Sequence, residues 1–350
     1  MADRTYYSSA AALQAAGLPL RSELDAVEKL YPVKINSYCL KQIDPALGCD
    51  DPFYRQFLPD PAELLDENSD FDPLAEAEQM PVPRLIHRFT DRAVLLATFK
   101  CAVRCRFCFR KRTWRAGAED KDISDAELQA VVDCLKKTPE IREILISGGD
   151  PVLLGTDRIR EIITKLKKAE NIEIIRIATR LPVTAPHLFT DEMIGLLANV
   201  DGLWLATHFN HPAELTVEST ALLKKIVACG IPVINQSVLL KGVNDDHEIL
   251  EKLFRELVKL RVKPHYLFHV DPVRGVRHFA TGIECGLEIL RHFRKNLSSL
   301  ATPTFAIDLP GGGGKVALQP EYRDSKGRFP DIHNRNYIEY QEHLPQAKAK

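Results

Sequence analysis

The chain has 350 residues and a mass of 39.4 kDa, 45% of it hydrophobic, which is enough for one large domain or two with a real core. With 47 basic and 48 acidic residues the formal charge is -1, which excludes a bulk electrostatic pull toward nucleic acid or a membrane surface. No apolar run is long enough to span a bilayer, and Met1–Leu30 lacks the basic, apolar, small-residue order of a signal peptide, so the expected location is cytoplasmic.

Residues 1–80 read as a helical N-terminal region wrapping the body, with apolar residues at helical spacing over Ala10–Leu18 and Glu23–Leu30. Asp44–Asp72 is an acidic, proline-containing connection over the main body, punctuated by turns at Asp70–Pro73 and Pro81–Pro83. His87-Arg88-Phe89-Thr90-Asp91-Arg92 then enters the first strand. Two arginines four apart suit a phosphate clamp, and a solvated charged turn is the alternative.

From Ala93 a strand–helix rhythm begins. Strands are expected at Ala93–Thr98, Glu143–Ser147, Ile172–Ala178, Gly202–Thr207, Pro232–Val238, Pro264–Val270 and Thr304–Ile307. Helices are expected between them at Asp125–Lys137, Thr156–Lys168, Asp191–Ala198, Leu215–Cys229, Asp246–Leu260 and Gly282–Leu300. This α/β alternation predicts a complete or partial (β/α) barrel, with a doubly wound open sheet as the runner-up. Residues 81–322 form the barrel in this reading, and 323–350 a short polar C-terminal tail.

Chemistry in such folds sits at the carboxyl ends of the strands. The first strand is followed by Cys101, Cys105 and Cys108, spaced C-x₃-C-x₂-C. Three close thiolates are odd for disulfides and suit a four-iron cluster with one iron left open. A zinc site completed by a distant histidine is the alternative. Arg104, Arg106, Arg110, Lys111 and Arg112 suit an anionic centre, and the other five cysteines read as structural thiols. Ser147-Gly148-Gly149-Asp150 follows the second strand, its glycines allowing a ligand close to the backbone, with an ordinary turn as the alternative.

The last strand end carries Asp308 and the run Pro310-Gly311-Gly312-Gly313-Gly314-Lys315. No Ser or Thr follows Lys315, so a nucleotide P-loop is disfavoured. A lysine freed of steric cover suits a Schiff base with a carbonyl cofactor such as pyridoxal phosphate, and a flexible surface turn is the alternative. Asp271 and Asp308, both at strand ends, suit a cationic substrate group, or else cap helices and turns. His208 and His211 flank Asn210, and one of them suits a satisfied polar core.

The cysteine triplet is the signature of the radical S-adenosylmethionine enzymes. Combined with SGGDP, THFNHP, NQSVLLKGVND, HVDPVRGVRHF and DLPGGGGK, the chain resembles the lysine 2,3-aminomutase family from about Pro81 to Tyr322. The resemblance implies a partial barrel of the radical SAM type and an isomerase interconverting L-lysine and β-lysine by migration of the amino group. Its cofactors would be a 4Fe-4S cluster on Cys101, Cys105 and Cys108, S-adenosyl-L-methionine and pyridoxal 5′-phosphate. Ser147, Gly148, Gly149, Asp150, Arg180 and His208 would seat S-adenosylmethionine, and Lys315 would hold pyridoxal phosphate. Arg88, Arg92 and Gln236 would surround the phosphate. Arg110 would bind the substrate α-carboxylate, and Asp271 with Asp308 the ε-ammonium. The resemblance implies a reducing donor such as flavodoxin or ferredoxin, leaves room for a homo-oligomer, and requires no nucleic-acid or membrane partner.

Relatives acting on glutamate would meet an anionic side chain, which twin aspartates repel, so lysine is favoured. The alternative is a family member acting on another amino acid or making β-lysine for elongation factor P modification. Phe109 resembles that elongation-factor branch, while the intact glycine–lysine run resembles the fermentative one. Arg323–Lys350 is polar and free of cysteine, so the zinc extension and tetramer of the long fermentative enzymes are not expected.

Overall fold

The sheet begins one strand earlier and ends one strand later than the sequence pattern predicts. The computed structural model describes residues 5–340 apart from 19, 22–23, 67 and 115–120. Its main sheet comprises β1 (Leu85–Phe89), β2 (Arg92–Thr98), β3 (Glu143–Gly148), β4 (Ile174–Ala178), β5 (Leu203–Thr207), β6 (Val233–Leu239), β7 (Val262–His269), β8 (Thr304–Leu309) and β9 (Gly314–Leu318). Neighbours in the sheet are neighbours in sequence throughout, with no reversal of strand order, which rules out the doubly wound alternative. Strands β2 to β8 are parallel, and an antiparallel hairpin closes each end, β1 on β2 and β9 on β8.

The two end hairpins meet. Arg88 Nη1 on β1 lies 3.7 Å from Asp308 Oδ1 on β8, and a Cβ on Gly314 of β9 would stand 3.5 Å from the Phe89 ring of β1. The sheet is therefore a nearly closed barrel, as the radical SAM reading expects.

Each crossover between the parallel strands carries a main helix: α1 (Asp125–Lys137), α2 (Thr156–Leu166), α3 (Asp191–Ala198), α4 (Val217–Ala228), α5 (His247–Lys259) and α6 (Ile283–Asn296). Their starts follow capping chemistry. Ser124 and Glu127 form a capping box on α1, Thr190 and Thr216 cap α3 and α4, and Asp246 accepts from Glu248 N and Ile249 N on α5. Each helix lays one apolar stripe on the barrel, such as Leu250, Leu253, Phe254 and Leu257 of α5. The strands answer with alternate residues, Ile144 and Ile146, Ile175 and Ile177, Leu203 and Leu205, leaving the opposite set for the barrel interior.

Both hairpins turn in segments for which a turn is the alternative reading of the sequence. His87–Arg92 is the β1–β2 turn region, Phe89 pairing Arg92 across Thr90-Asp91. The glycine run is also a hairpin turn: Gly311, Gly312 and Gly314 have φ of 64, 77 and 84°, and Leu309 pairs Gly314. Glycine is required there by left-handed backbone, and Lys315 stands on a strand rather than on a free loop.

The N-terminal region is less helical than expected. It holds short helices at Ala10–Ala15, Leu24–Leu30, Ser37–Leu40 and Pro52–Phe57 and a ladder of Tyr6–Tyr7 with Ile35–Asn36, and Glu23 lies outside the described residues. The tail carries a small ladder of Phe329–Pro330 with Tyr337–Ile338, and residues 341–350 lie outside the described ones. Among the described residues no helix is long and apolar enough to cross a membrane.

Candidate active site

The three cysteines occupy the loop that leaves β2. Burial, with Cys108 and Asp150 close by, pushes the Cys101 thiol well above its ordinary value. Burial and the Cys105 charge carry Cys108 up to about 11. Crowding of three thiols in this way disfavours their thiolates, and a strongly cationic centre would deprotonate its thiol ligands. Among the described residues no three His, Cys, Asp or Glu side chains are drawn up as ligands of one ion. All eight cysteines are free, and Cys39 is a buried thiol donating to the Thr184 carbonyl.

The glycine pair after β3 supports this loop. Gly149 N donates to Thr98 O at 2.6 Å and Asp150 N to Lys100 O at 2.8 Å, carrying the ladder into the first residues of the cysteine loop. A Cβ on Gly148 or Gly149 would stand 2.2 Å from the Thr98 or Lys100 carbonyl oxygen. The close approach that demands glycine is made by backbone leading to Cys101.

Asp150 and Arg180 form the next layer. The buried Asp150 carboxylate accepts from Thr179 Oγ1 at 2.8 and 2.9 Å and from Arg180 N at 2.8 Å, and burial raises its pKa to about 6 against these bonds. Arg180 donates from Nη1 to Cys105 Sγ at 2.8 Å and from Nη2 to Gln56 Oε1 at 2.6 Å and Glu214 Oε1 at 2.9 Å. His208 faces Asn210 Oδ1 at 3.0 Å and the Phe107 ring at 5.6 Å. Burial and the Arg180 charge hold its pKa well below the usual range, so it is neutral at pH 7.

Arg180 reaches a thiol, while Arg106, Arg110, Lys111 and Arg112 pair with glutamates. Arg106 and Lys111 are fully buried on Glu63, with Nη2 and Nζ each 2.6 Å from Oε2. Burial raises the Glu63 carboxyl, but Arg106 and Lys111 more than offset this and hold it at about 2. Arg110 meets Glu76 through two bonds, Nε to Oε2 at 3.0 Å and Nη2 to Oε1 at 2.7 Å. Arg112 Nη2 donates to the same carboxylate at 2.7 Å. Two glutamates of the wrapping segment thus pin the cysteine loop from outside the barrel.

At the far side of the strand ends Lys315 pairs Asp308 across the β8–β9 ladder, Nζ to Oδ2 at 3.9 Å. Nζ lies 4.8 and 4.4 Å from the ring centroids of Tyr266 and Phe268, which stack on each other. Burial lowers the Lys315 pKa, with Asp308 opposing. The Asp271 carboxyl is raised to about 7 by burial and then by the charge of Asp308, so the two acids share one neighbourhood. Gln236 stands opposite Tyr266 in the β6–β7 ladder and so shares its face.

The two expected phosphate arginines keep different company. Arg88 donates to Gln79 Oε1 at 2.6 Å and the Leu74 carbonyl at 3.0 Å, beside Asp308. Arg92 lies over the Phe89 ring at 4.0 Å and pairs Asp91 at 2.8 Å.

Residues 95–253 match the family profile described as Radical SAM superfamily, and residues 289–337 the one described as Lysine-2,3-aminomutase. The chain is 40% identical over 289 residues to L-lysine 2,3-aminomutase of Clostridium subterminale, covering 82% of this chain and 69% of that protein. It belongs to the lysine 2,3-aminomutase family. It is 37% identical over 308 residues to L-lysine 2,3-aminomutase of Methanococcus maripaludis, covering 88% and 71% of the two chains. Against glutamate 2,3-aminomutase of Clostridioides difficile it is 39% identical over 293 residues, covering 84% and 69%.

As a radical SAM isomerase of this family the protein carries a 4Fe-4S cluster and S-adenosylmethionine. The structure adds residues that the sequence reading missed. Glu63, Glu76, Gln56 and Glu214 hold Arg106, Arg110, Arg112 and Arg180 around the cysteine loop. Arg176 on β4 pairs Glu143 inside the barrel and acts on Lys315 electrostatically. Only its place in a strand alternating with Ile175 and Ile177 could have marked it as inward-facing.

Proposed function

We propose that the protein interconverts L-lysine and β-lysine, with pyridoxal 5′-phosphate held on Lys315. The observation that carries this reading is the placement of Lys315 against Asp308, with Asp271 in the same electrostatic neighbourhood. A buried, less basic amine suits a carbonyl cofactor. It lies on the faces of Tyr266 and Phe268, with the charges of Arg92 and Arg176 acting on it, and this donor set fits an aromatic, anionic group. When bound, S-adenosylmethionine on the cluster supplies a hydrogen-abstracting radical and pyridoxal phosphate a conjugated ring that spreads an unpaired electron.

The chain's own residues then bind, orient and exclude water. Arg110 receives the α-carboxylate. Asp271 and Asp308 receive the ε-ammonium, and a carboxylate side chain there would meet like charge in a buried site, costing several kcal/mol. Arg88, Arg92 and Gln236 border the pyridoxal phosphate site. Ser147 to Asp150, Arg180 and His208 border that of S-adenosylmethionine. Neutral His208 can accept or donate one hydrogen bond without adding charge. The segment from Glu63 to Gln79 covers the strand ends through its salt bridges. Free thiols and a cluster suit the reducing cytoplasm, with flavodoxin or ferredoxin as donor.

The test is an anaerobic assay with reductant, S-adenosylmethionine and pyridoxal phosphate, offering lysine and glutamate in parallel. Lysine turnover is expected to exceed glutamate turnover by orders of magnitude. Lys315→Ala is expected to lose turnover and the cofactor's absorption band while keeping its iron. Preference for glutamate, or an unchanged band in Lys315→Ala, overturns the reading.

A further inference from the structure

Arg110 is held on three sides. Its side-on edge, Nε and Nη2, is taken by the buried carboxylate of Glu76 at 3.0 and 2.7 Å. Its guanidinium carbon stands 4.4 Å from the centroid of the Phe109 ring, a cation–π stack. Phe109 in turn packs against the cluster of Phe107, Val270, Val273 and Val276, so it is fixed from below. Nη1 makes only long contacts, 3.4 Å to Ser147 Oγ and 3.3 Å to Gly148 O, at the carboxyl end of β3.

A guanidinium has five N–H donors, and two of them are committed to Glu76. The edge formed by Nη1 and the second Nη2 hydrogen keeps its capacity for a bidentate carboxylate. That edge reaches the strand ends, where Nη1 already touches Ser147 and Gly148. The Phe109 ring fixes the plane of the group and the Glu76 carboxylate fixes its rotation within that plane.

We propose that Glu76 and Phe109 are positioning residues for the substrate's α-carboxylate, acting by holding Arg110 with its Nη1/Nη2 edge toward the bound amino acid. The proposal rests on the reading of Arg110 given above. It assigns a purpose to Phe109, whose ring is the aromatic floor under the Arg110 guanidinium. It also explains why a glutamate from the wrapping segment is buried at 3% exposure beside the cysteine loop.

The test compares wild type with Glu76→Gln, Phe109→Ala, Phe109→Tyr and Arg110→Ala. Lysine affinity is measured by titrating the cofactor's absorption band, and KM and kcat are measured for L-lysine and for L-lysinamide, which lacks the carboxylate. Glu76→Gln and Phe109→Ala are expected to raise the lysine Kd and KM roughly tenfold or more, the worth of a charge-assisted contact. Their kcat should stay within a few-fold, the lysinamide KM should barely move, and Phe109→Tyr should restore wild-type values. Unchanged lysine affinity in both variants, while Arg110→Ala loses it, overturns the positioning role and leaves the Arg110 reading standing. Unchanged affinity in Arg110→Ala overturns that reading itself. Loss of iron or of pyridoxal phosphate from Glu76→Gln and Phe109→Ala also overturns the proposal, since both would then be holding the fold rather than the arginine.

Discussion

Asp308 and Lys315 are direct partners in the β8–β9 ladder, six intervening residues apart in the chain and facing one another with Nζ 3.9 Å from Oδ2. The glycine turn exists to bring them together. It folds the chain back within four glycines, so a base and an acid from one hairpin share the mouth of the barrel. The acid also neighbours Arg88 at 3.7 Å, which ties the last hairpin to the first.

Asp308→Asn removes one charge from this group while keeping its shape. Lysine turnover is expected to fall at least about 30-fold, since an unpaired buried charge costs roughly 2–5 kcal/mol. Pyridoxal phosphate should stay bound, because Lys315 keeps its strand position. Steady-state kinetics with the absorption spectrum checks both, and undiminished lysine turnover would sink the charge argument.

The proposed role of Asp271 at the substrate ammonium predicts pH-dependent lysine binding. Burial and Asp308 place its pKa at about 7, above the ordinary carboxylate range. Its folded value exceeds its unfolded value, so ionisation costs stability as pH rises from about 4 to about 7 in the substrate-free protein. Binding an ammonium needs the ionised form. The lysine KM is therefore expected to rise roughly tenfold for each unit below pH 7. Asp271→Asn should flatten that limb, and a KM profile of the two proteins decides it.

Glu63→Ala strands two buried cations, Arg106 and Lys111, and should cost roughly 3–5 kcal/mol in chemical denaturation. Because the folded Glu63 pKa is about 2, below its unfolded value, its contribution is full above about pH 4.5 and fades as pH falls toward 2. The gap between wild type and variant should close over that window.

Gly149→Ala places a methyl group 2.2 Å from the Lys100 carbonyl oxygen and should displace the entrance to the cysteine loop. Iron per chain, measured after anaerobic reconstitution, is expected to fall well below wild type. Gly195→Ala in α3, whose Cβ would meet nothing within 4 Å, serves as the control and should keep its iron.

Much of the fold was legible because it rests on local rules. The α1 and α3 boundaries agree with the expected Asp125–Lys137 and Asp191–Ala198, since Ser124 and Thr190 cap them and an apolar stripe follows. The seven parallel strands announced themselves as short apolar runs between helices. The two edge strands did not: β1 carries His87 and Arg88, and β9 begins with a glycine and a lysine, so neither has the apolar run of a buried strand.

The sequence by itself determined the cysteine spacing, the order of strands and helices, and the residue types gathered at the strand ends, because periodicity, capping and turn chemistry act over a few residues. Only the tertiary structure decided which charges face which. It set Arg180 on Cys105, paired Arg106 and Lys111 with Glu63 and Arg110 with Glu76, and laid Arg110 on Phe109. It also moved Lys315 from a loop to a strand opposite Asp308. Those pairings span tens to hundreds of residues and depend on the barrel closing. A buried charge is tolerated only where closure brings its partner within reach, and no local pattern records that partner in advance.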